Sequence, residues 1–150
     1  MKRPGPWSTV IANALVLFVV AIPLSYAWEL GQRPLYVGMA DDPYAWWHCF
    51  LASLGDGVLI LIIYGIGNLV FRRSDWFVRP DARRVGFVLL TGLMVGLAVE
   101  WAGVRIMHRW AYTDAMPQIP GWQVGFVPVL QMMLIPLAVF GLVRMLRLPR

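Results

Sequence analysis

Two carboxylates lie within long apolar segments of this chain, where an ionised side chain is costly. Asp56 stands within GDGVLILIIYGIG and Glu100 within TGLMVGLAVEWAGV. A charge near the centre of a bilayer costs at least ~2.5–3.5 kcal/mol on insertion scales, so such residues face a protein interior, pair with another group or serve a function. A buried carboxyl group can donate or accept a proton during a reaction. Asp56 and Glu100 are therefore the candidate catalytic residues.

Further polar side chains fall near the same depth or at the rim above it. At a helical rise of ~1.5 Å per residue, Asp56 lies roughly 16 Å and Glu100 roughly 10 Å from one end of the apolar segments. The side chains that we expect to bind and orient a ligand there are His48, Arg105, His108, Arg109, Tyr112 and Gln131.

The elements that would position these residues are apolar helices. Of 150 residues, 59% are hydrophobic and 14% charged, whereas soluble domains have roughly 25% charged residues. Segments of about 20 apolar residues cross a bilayer as helices. The predicted fold class is all-α, an integral membrane bundle of four transmembrane helices in a single transmembrane domain, residues 1–150. The predicted spans are approximately 8–28, 45–71, 85–107 and 124–146.

Residue spacing indicates that both carboxylates point into the bundle. Gly92, Gly96 and Glu100 are four residues apart and share one helical face. Stripes of small residues mark close helix packing in membranes. Ser53 and Asp56 share a face of the second span in the same way. Two inward carboxylates at neighbouring depths could then meet or line one cavity.

The distribution of basic residues predicts the orientation. Most fall on one side of a four-span chain: Lys2, Arg3, Arg72, Arg73, Arg79, Arg83, Arg84, Arg144, Arg147 and Arg150. The opposite side has only Arg33, Arg105 and Arg109. The positive-inside rule therefore predicts a multi-pass protein of the bacterial inner (cytoplasmic) membrane, N-in and C-in. The net charge of +5 reflects this topology, which disfavours nucleic acid as a partner.

The first apolar segment also has features of a signal peptide. Residues 1–27 combine a basic start, an apolar core and Ser25-Tyr26-Ala27. The apolar run is long for a signal peptide, which favours an uncleaved signal anchor. Cleavage, the alternative, would leave three spans.

Common catalytic and cofactor motifs do not occur in the sequence. Cys49 is the only cysteine, so an internal disulfide and a CxxC motif are excluded. HExxH, the P-loop and GxGxxG are missing. We expect no cofactor and no metal. A metal site of His48, Glu100 and His108 is the less favoured alternative, because these ligand types suit zinc or iron but lack close spacing.

A resemblance lies in the third and fourth spans. The run from Glu100 through Arg109-Trp110-Ala111-Tyr112 and Met116-Pro117 to Gly125-Phe126-Val127-Pro128 resembles uncharacterised four-span bacterial inner-membrane proteins. It is distantly similar to small carotenoid-modifying membrane enzymes of the lycopene-cyclase-domain and bacterioruberin-hydratase type. Where such cyclases have paired carboxylates, this chain has Glu100-Trp101. The resemblance implies a lipid or isoprenoid-like ligand.

The sequence is compatible with three functions. The first is binding of a lipid-like or small ligand in a polar pocket of the outer-leaflet half, with acid–base chemistry at Glu100 and Asp56. The second is an accessory or structural subunit of a larger membrane complex, in which the carboxylates only orient helices. The third is a proton-coupled carrier, which would act as a homodimer. The bilayer lipids are partners in all three, and only the first makes the protein an enzyme.

Overall fold

Four long helices form the molecule. The computed structural model describes residues 6–147, so Lys2, Arg3 and Arg150 of the orientation argument lie outside the described residues. The helices are α1 (Pro6–Gln32), α2 (Ala45–Phe71), α3 (Ala82–Trp101) and α4 (Phe126–Arg147). All four are long and apolar enough to cross a membrane. The predicted all-α bundle of four transmembrane helices is confirmed, and the protein is a multi-pass membrane protein.

The helix bounds differ from the predicted spans mainly at α1. This helix continues to Gln32, four residues beyond the predicted end at 28, and a short 3-10 turn follows at Arg33–Leu35. The extension matters because Glu29 becomes part of a membrane helix instead of a loop. At the far end of α3, a π-helical turn at Ala102–Ile106 prolongs the helix.

Helix α1 lies between two neighbours in the bundle. It packs against α2 and α4, and α3 packs mainly against α4. Helices α2 and α3 have little contact with each other. The interior of α1 and α4 is therefore where groups from three helices can meet.

One end of the bundle, here called the Arg-rich end, carries the loop between α2 and α3 and the last turn of α4. Helix α2 ends at Phe71, and Arg72 takes a left-handed conformation with φ of 53°. A 3-10 turn at Trp76–Val78 then inserts Trp76, which is 1% exposed, among aromatic side chains. A Cβ at Gly67 would collide with the Trp76 ring, so only glycine fits there.

Hydrogen bonds fasten this loop to the helices. Asn13 of α1 donates to the Ser74 carbonyl at 2.7 Å, and the Tyr64 hydroxyl donates to the same oxygen at 2.9 Å. The Asp81 side chain caps α3 by accepting from the Arg84 amide at 2.8 Å, as aspartate does at helix N-termini. The loop is thus part of the packed core.

The opposite end, here called the site end, carries the α1–α2 and α3–α4 loops. The two loops pair with each other, since the Val37 amide donates to the Ala111 carbonyl and the Thr113 amide to the Leu35 carbonyl, both at 2.9 Å. A short hairpin with a four-residue loop, residues 120–123, pairs β1 (Gln118–Ile119) with β2 (Val124–Gly125) immediately before α4. These backbone bonds form a cover over the carboxylates of the helices below.

Candidate functional site

A hydrogen-bonded group of two acids and two amides lies inside the site end. We call Glu29, Gln32, Asp56 and Gln131 the amide–carboxyl cluster. Gln131 Nε2 donates to Asp56 Oδ2 at 2.6 Å and to Glu29 Oε1 at 3.0 Å. Gln32 Nε2 donates to Glu29 Oε1 at 2.8 Å and to Gln131 Oε1 at 2.9 Å. Both donor positions of both amide groups are therefore used, as expected of buried polar groups.

Three helices supply this cluster through simple spacing. Ser25, Glu29 and Gln32 are four and three residues apart, which places them on one face of α1. Gln32 and Gln131 are 4% and 2% exposed. Because α1 lies between α2 and α4, this face can meet Asp56 on one side and Gln131 on the other.

The two carboxyl groups of the cluster are close neighbours. Both accept a hydrogen bond from Gln131 Nε2. None of the ion pairs within residues 6–147 involves Glu29 or Asp56. One turn away, the buried Ser25 hydroxyl has no partner among the described residues. The cluster is thus a pair of acids held by neutral amides.

Glu100 forms a second centre, with aromatic partners. The Tyr112 hydroxyl donates to Glu100 Oε2, and Trp110 Nε1 donates to the same oxygen at 3.3 Å. Glu100 is 6% exposed. Phenol and indole groups are neutral donors, so this carboxyl group also lacks a cationic partner within the described part of the chain.

The π-helical turn brings these two partners back over Glu100. The Met107 amide donates to the Ala102 carbonyl and the Arg109 amide to the Gly103 carbonyl, both at 2.9 Å. His108 follows with a φ of 48°, so the chain reverses at this point. π-Bulges are frequent at functional sites because they re-aim the chain that follows.

Packing fixes the aromatic partners in place. A Cβ at Gly103 would collide with the Trp110 ring, so glycine is needed for the indole to reach Glu100. The rings of Tyr36 and Tyr112 lie 5.7 Å apart, and the two residues form a backbone bridge. Burial is the main cause that raises the pKa of Tyr112 above its ordinary value, and the hydrogen bond to Glu100 raises that pKa further. The phenol therefore remains a proton-bearing donor at neutral pH.

A groove on the surface of the bundle reaches the edge of the amide–carboxyl cluster. It has a volume of about 250 Å³ and its walls are mostly apolar. Its lining is formed by Trp28, Gly31, Gln32, Leu35 and Val127. Gln32 belongs to both the groove and the cluster, and its Oε1 accepts from Trp28 Nε1 at 3.2 Å. An apolar molecule in this groove would lie against one member of the cluster.

The structure brings together part of the set of residues that the sequence nominated. Gln131 bonds to Asp56, and Tyr112 bonds to Glu100. Asp56 and Glu100 share no hydrogen bond among the described contacts, and each has partners of its own.

The remaining nominated residues lie at the rim. His48 Nδ1 is 2.9 Å from Asp42 Oδ2, and the imidazole is exposed. Arg105 donates to Gln123 Oε1. His108 and Arg109 are exposed. No described contact links any of these four side chains to a buried carboxyl group.

Sequence reasoning missed Glu29, Gln32, Trp110 and Tyr36 as members of the site. Glu29 lies one residue beyond the predicted end of the first span at 28, so the sequence places it in the first loop. The spacing of Ser25, Glu29 and Gln32 would have continued the polar face of the helix. For Tyr36, the sequence carries no such signal, because its position depends on the pairing of two loops.

The described residues offer little for metal binding. Within residues 6–147, no three His, Cys, Asp or Glu side chains are grouped so as to hold a metal ion. The alternative site of His48, Glu100 and His108 is not assembled, since His48 pairs with Asp42 and Glu100 with Tyr112.

Comparison of the chain with protein-family models, with curated proteins and with solved structures finds no match.

Proposed function

We propose that this protein binds a lipid-like or small apolar ligand at the site end and transfers protons to or from it. One observation carries the proposal. Glu29, Asp56 and Glu100 are held by amide, phenol and indole donors, and none of the described ion pairs includes them. A carboxylate fixed by arginine is committed to its ion pair, whereas one held by neutral donors is able to exchange a proton.

Glu100 is the proposed proton donor and acceptor. When it transfers its proton to a ligand, negative charge develops on a carboxylate whose Oε2 already faces Tyr112 and Trp110. Donors that are in place before charge develops stabilise it without reorganisation. Tyr112 and Trp110 would thus favour the transfer and hold the carboxylate in position.

Asp56 and Glu29 are the proposed proton store beside this centre. Two carboxyl groups in contact behave as one unit that binds and releases protons in steps. Gln131 would keep the pair together during that exchange, because its Nε2 donates to both acids. Gln32 donates to Glu29 and to Gln131 and would hold these two side chains in place.

The groove beside Gln32 favours an apolar ligand that arrives from the bilayer. Its walls are apolar and it ends at a member of the cluster. The sequence resemblance of the third and fourth spans to carotenoid-modifying enzymes, which rests on the motif from Glu100 to Pro128, supports an isoprenoid-like chain within this class. We also infer that the protein resides in the bacterial inner membrane with the Arg-rich end in the cytoplasm, following the positive-inside rule.

The test uses the molecules that co-purify with the protein. Wild type and Glu100→Gln are extracted in mild detergent, and the bound apolar compounds are identified by mass spectrometry. Glutamine keeps an acceptor oxygen for Tyr112 but cannot transfer a proton. We expect the variant to accumulate at the wild-type level and to retain an unconverted precursor.

A matched control is Asp114→Asn, which makes the same chemical change at an exposed loop position. It should leave the bound compounds unchanged. If Glu100→Gln fails to accumulate, the carboxyl group has a structural role. If it accumulates with the wild-type set of compounds, proton transfer at Glu100 is wrong.

A further inference from the structure

The Arg-rich end contains a cavity that is separate from the amide–carboxyl cluster. It has a volume of about 220 Å³ and lies between α3, α4 and the loop that precedes α3. Most of its wall is apolar, formed by Val85, Val88, Leu137 and Phe140 among others. Two arginines, Arg84 and Arg144, complete the lining.

Each of these two arginines has a buried N–H donor that lacks a hydrogen-bond acceptor. Arg84 Nε and Arg144 Nε are inaccessible to solvent and have no hydrogen-bond partner within residues 6–147. Buried donors in native proteins are nearly always paired, so each exception calls for an explanation. Two such exceptions on one cavity point to an acceptor that binds there.

The acids at this end do not supply that acceptor. Asp75 bonds to Arg73 Nε and Nη2 at 3.0 and 3.1 Å. Asp81 caps α3 and lies 3.6 Å from Arg84 Nη1, which also donates to the Arg79 carbonyl. These contacts occupy one corner of the Arg84 guanidinium and leave its Nε unpaired.

We propose that this cavity binds the phosphate group of an anionic phospholipid. The guanidinium groups of Arg84 and Arg144 would turn so that their Nε donors face the cavity and donate to phosphate oxygens, which arginine recognises through its fork of N–H donors. The apolar wall of Val85, Val88 and Leu137 would accept the beginning of an acyl chain. A free phosphate ion would leave that wall without a partner, so the wall favours a lipid.

The surroundings are consistent with a position at the surface of a leaflet. Arg72, Arg73, Arg79, Arg83 and Arg147 add positive charge at the same end of the bundle. Basic clusters next to membrane helices attract anionic lipids.

Native mass spectrometry of the purified full chain tests the proposal. The protein is incubated with phosphatidylglycerol or with phosphatidylcholine at equal concentration, and the lipid-bound fraction is measured. We expect wild type to bind phosphatidylglycerol, and the double variant Arg84→Gln/Arg144→Gln to bind it at least about tenfold more weakly, a loss of about 1.4 kcal/mol. Arg73→Gln, which removes one charge at the same end but outside the cavity, should bind within about twofold of wild type.

Two further measurements guard against a folding defect and a free-anion site. Thermal unfolding in detergent should show that phosphatidylglycerol raises the melting temperature of wild type and of Arg144→Lys, which keeps the charge, more than that of the double variant. Inorganic phosphate should neither displace phosphatidylglycerol nor raise the melting temperature as much. The proposal is overturned by equal binding of the two lipids, by undiminished binding to the double variant, or by full displacement with inorganic phosphate.

Discussion

At the scale of single residues, the chain treats its buried and exposed acids differently. Asp75, in a loop, forms two hydrogen bonds with the Arg73 guanidinium, which holds the pKa of that carboxyl below its usual range. Glu29, Asp56 and Glu100, within helices, receive hydrogen bonds only from neutral groups among the described contacts. Charged partners therefore stabilise ionised acids at the surface, whereas neutral partners position acids in the interior without committing them to one charge.

Tyr112 provides a prediction about alkaline pH. Burial, followed by the Glu100 hydrogen bond, raises its pKa above the ordinary value of 10.0. The unfolded chain loses this proton near that value while the native protein keeps it, so native stability falls as the pH rises above about 10. Tyr112→Phe has no such proton, so its melting temperature should decline less steeply with pH. At neutral pH it should be less stable than wild type by about 1 kcal/mol, for the lost hydrogen bond.

Thermal unfolding in detergent between pH 7 and 11 measures this difference. Tyr44→Phe is the matched control, because Tyr44 is 67% exposed, and it should follow the wild-type curve. The melting temperature of the double variant Tyr36→Phe/Tyr112→Phe should decline even less with pH, since burial also raises the pKa of Tyr36. Equal slopes for wild type and Tyr112→Phe would contradict the interpretation.

The residues of the site differed in how far the sequence could predict them. Asp56 and Glu100 were evident because an ionisable group in an apolar helix is costly wherever it lies. Depth along the helix predicts Gln131 as a ligand-binding residue, and in the structure it donates to Asp56 and Glu29. Depth along an axis follows from residue number, but the choice between neighbours depends on helix rotation and packing, which residue number does not encode.

At the scale of elements, the contact between α3 and α4 shows how glycine and proline act together. Pro136 has no N–H, so the Met132 carbonyl four residues earlier lacks its helical donor. Gly92 of α3 packs against that same carbonyl, and a Cβ at position 92 would collide with it. The sequence predicted the Gly92–Gly96 stripe as a packing face. It did not identify α4 as the partner, because a stripe describes only its own helix.

Alanine substitutions of the α3 glycines should therefore lower the free energy of unfolding by different amounts. The order is set by how closely each glycine packs against α4. Gly92→Ala would place a methyl group on the α4 backbone and should cost about 1–3 kcal/mol or more. In Gly96→Ala the added methyl group would lie 3.2 Å from Met132 Cβ and Val129 Cα, so the loss of stability should be smaller. Gly86→Ala, with nothing within 4 Å, should be neutral or stabilising by up to about 1 kcal/mol, because alanine favours helix.

The three variants are compared by thermal unfolding in the same detergent. Gly86→Ala serves as the control for helix propensity, since it lies on the same helix and makes the same substitution. A stability loss for Gly86→Ala equal to that for Gly92→Ala would show that close packing on α4 is not the cause.

At the scale of the whole molecule, composition was enough to predict four membrane helices, because lipid selects for apolar segments of fixed length. It could not predict the order α2, α1, α4, α3 in which the helices pack, since lipid-facing and helix-facing apolar residues look alike in sequence. The result is a polarised bundle, with the buried acids at the site end and most of the arginines at the other. The orientation of these two ends decides from which side of the membrane each is reached.

The positive-inside rule gives a definite expectation for that orientation. Asp75 lies in the loop of the Arg-rich end and Asp114 in a loop of the site end, and both are exposed. Asp75→Cys and Asp114→Cys therefore remove the same charge from opposite ends. Both are made in a Cys49→Ala background, since Cys49 is the only cysteine of the chain. Asp75 forms only an exposed ion pair, so its loss should cost no more than about 1 kcal/mol.

A membrane-impermeant maleimide applied to spheroplasts should label Asp114→Cys at once and Asp75→Cys only after permeabilisation. The Cys49→Ala parent should remain unlabelled in both conditions and so measures the background. The predicted cytoplasmic side has ten basic side chains and the opposite side has three. Replacing one aspartate should therefore not invert the orientation of the protein in the membrane. The reverse labelling pattern would place the arginines outside the cell. It would then remove the cytoplasmic leaflet as the source of the lipid proposed for the Arg84–Arg144 cavity.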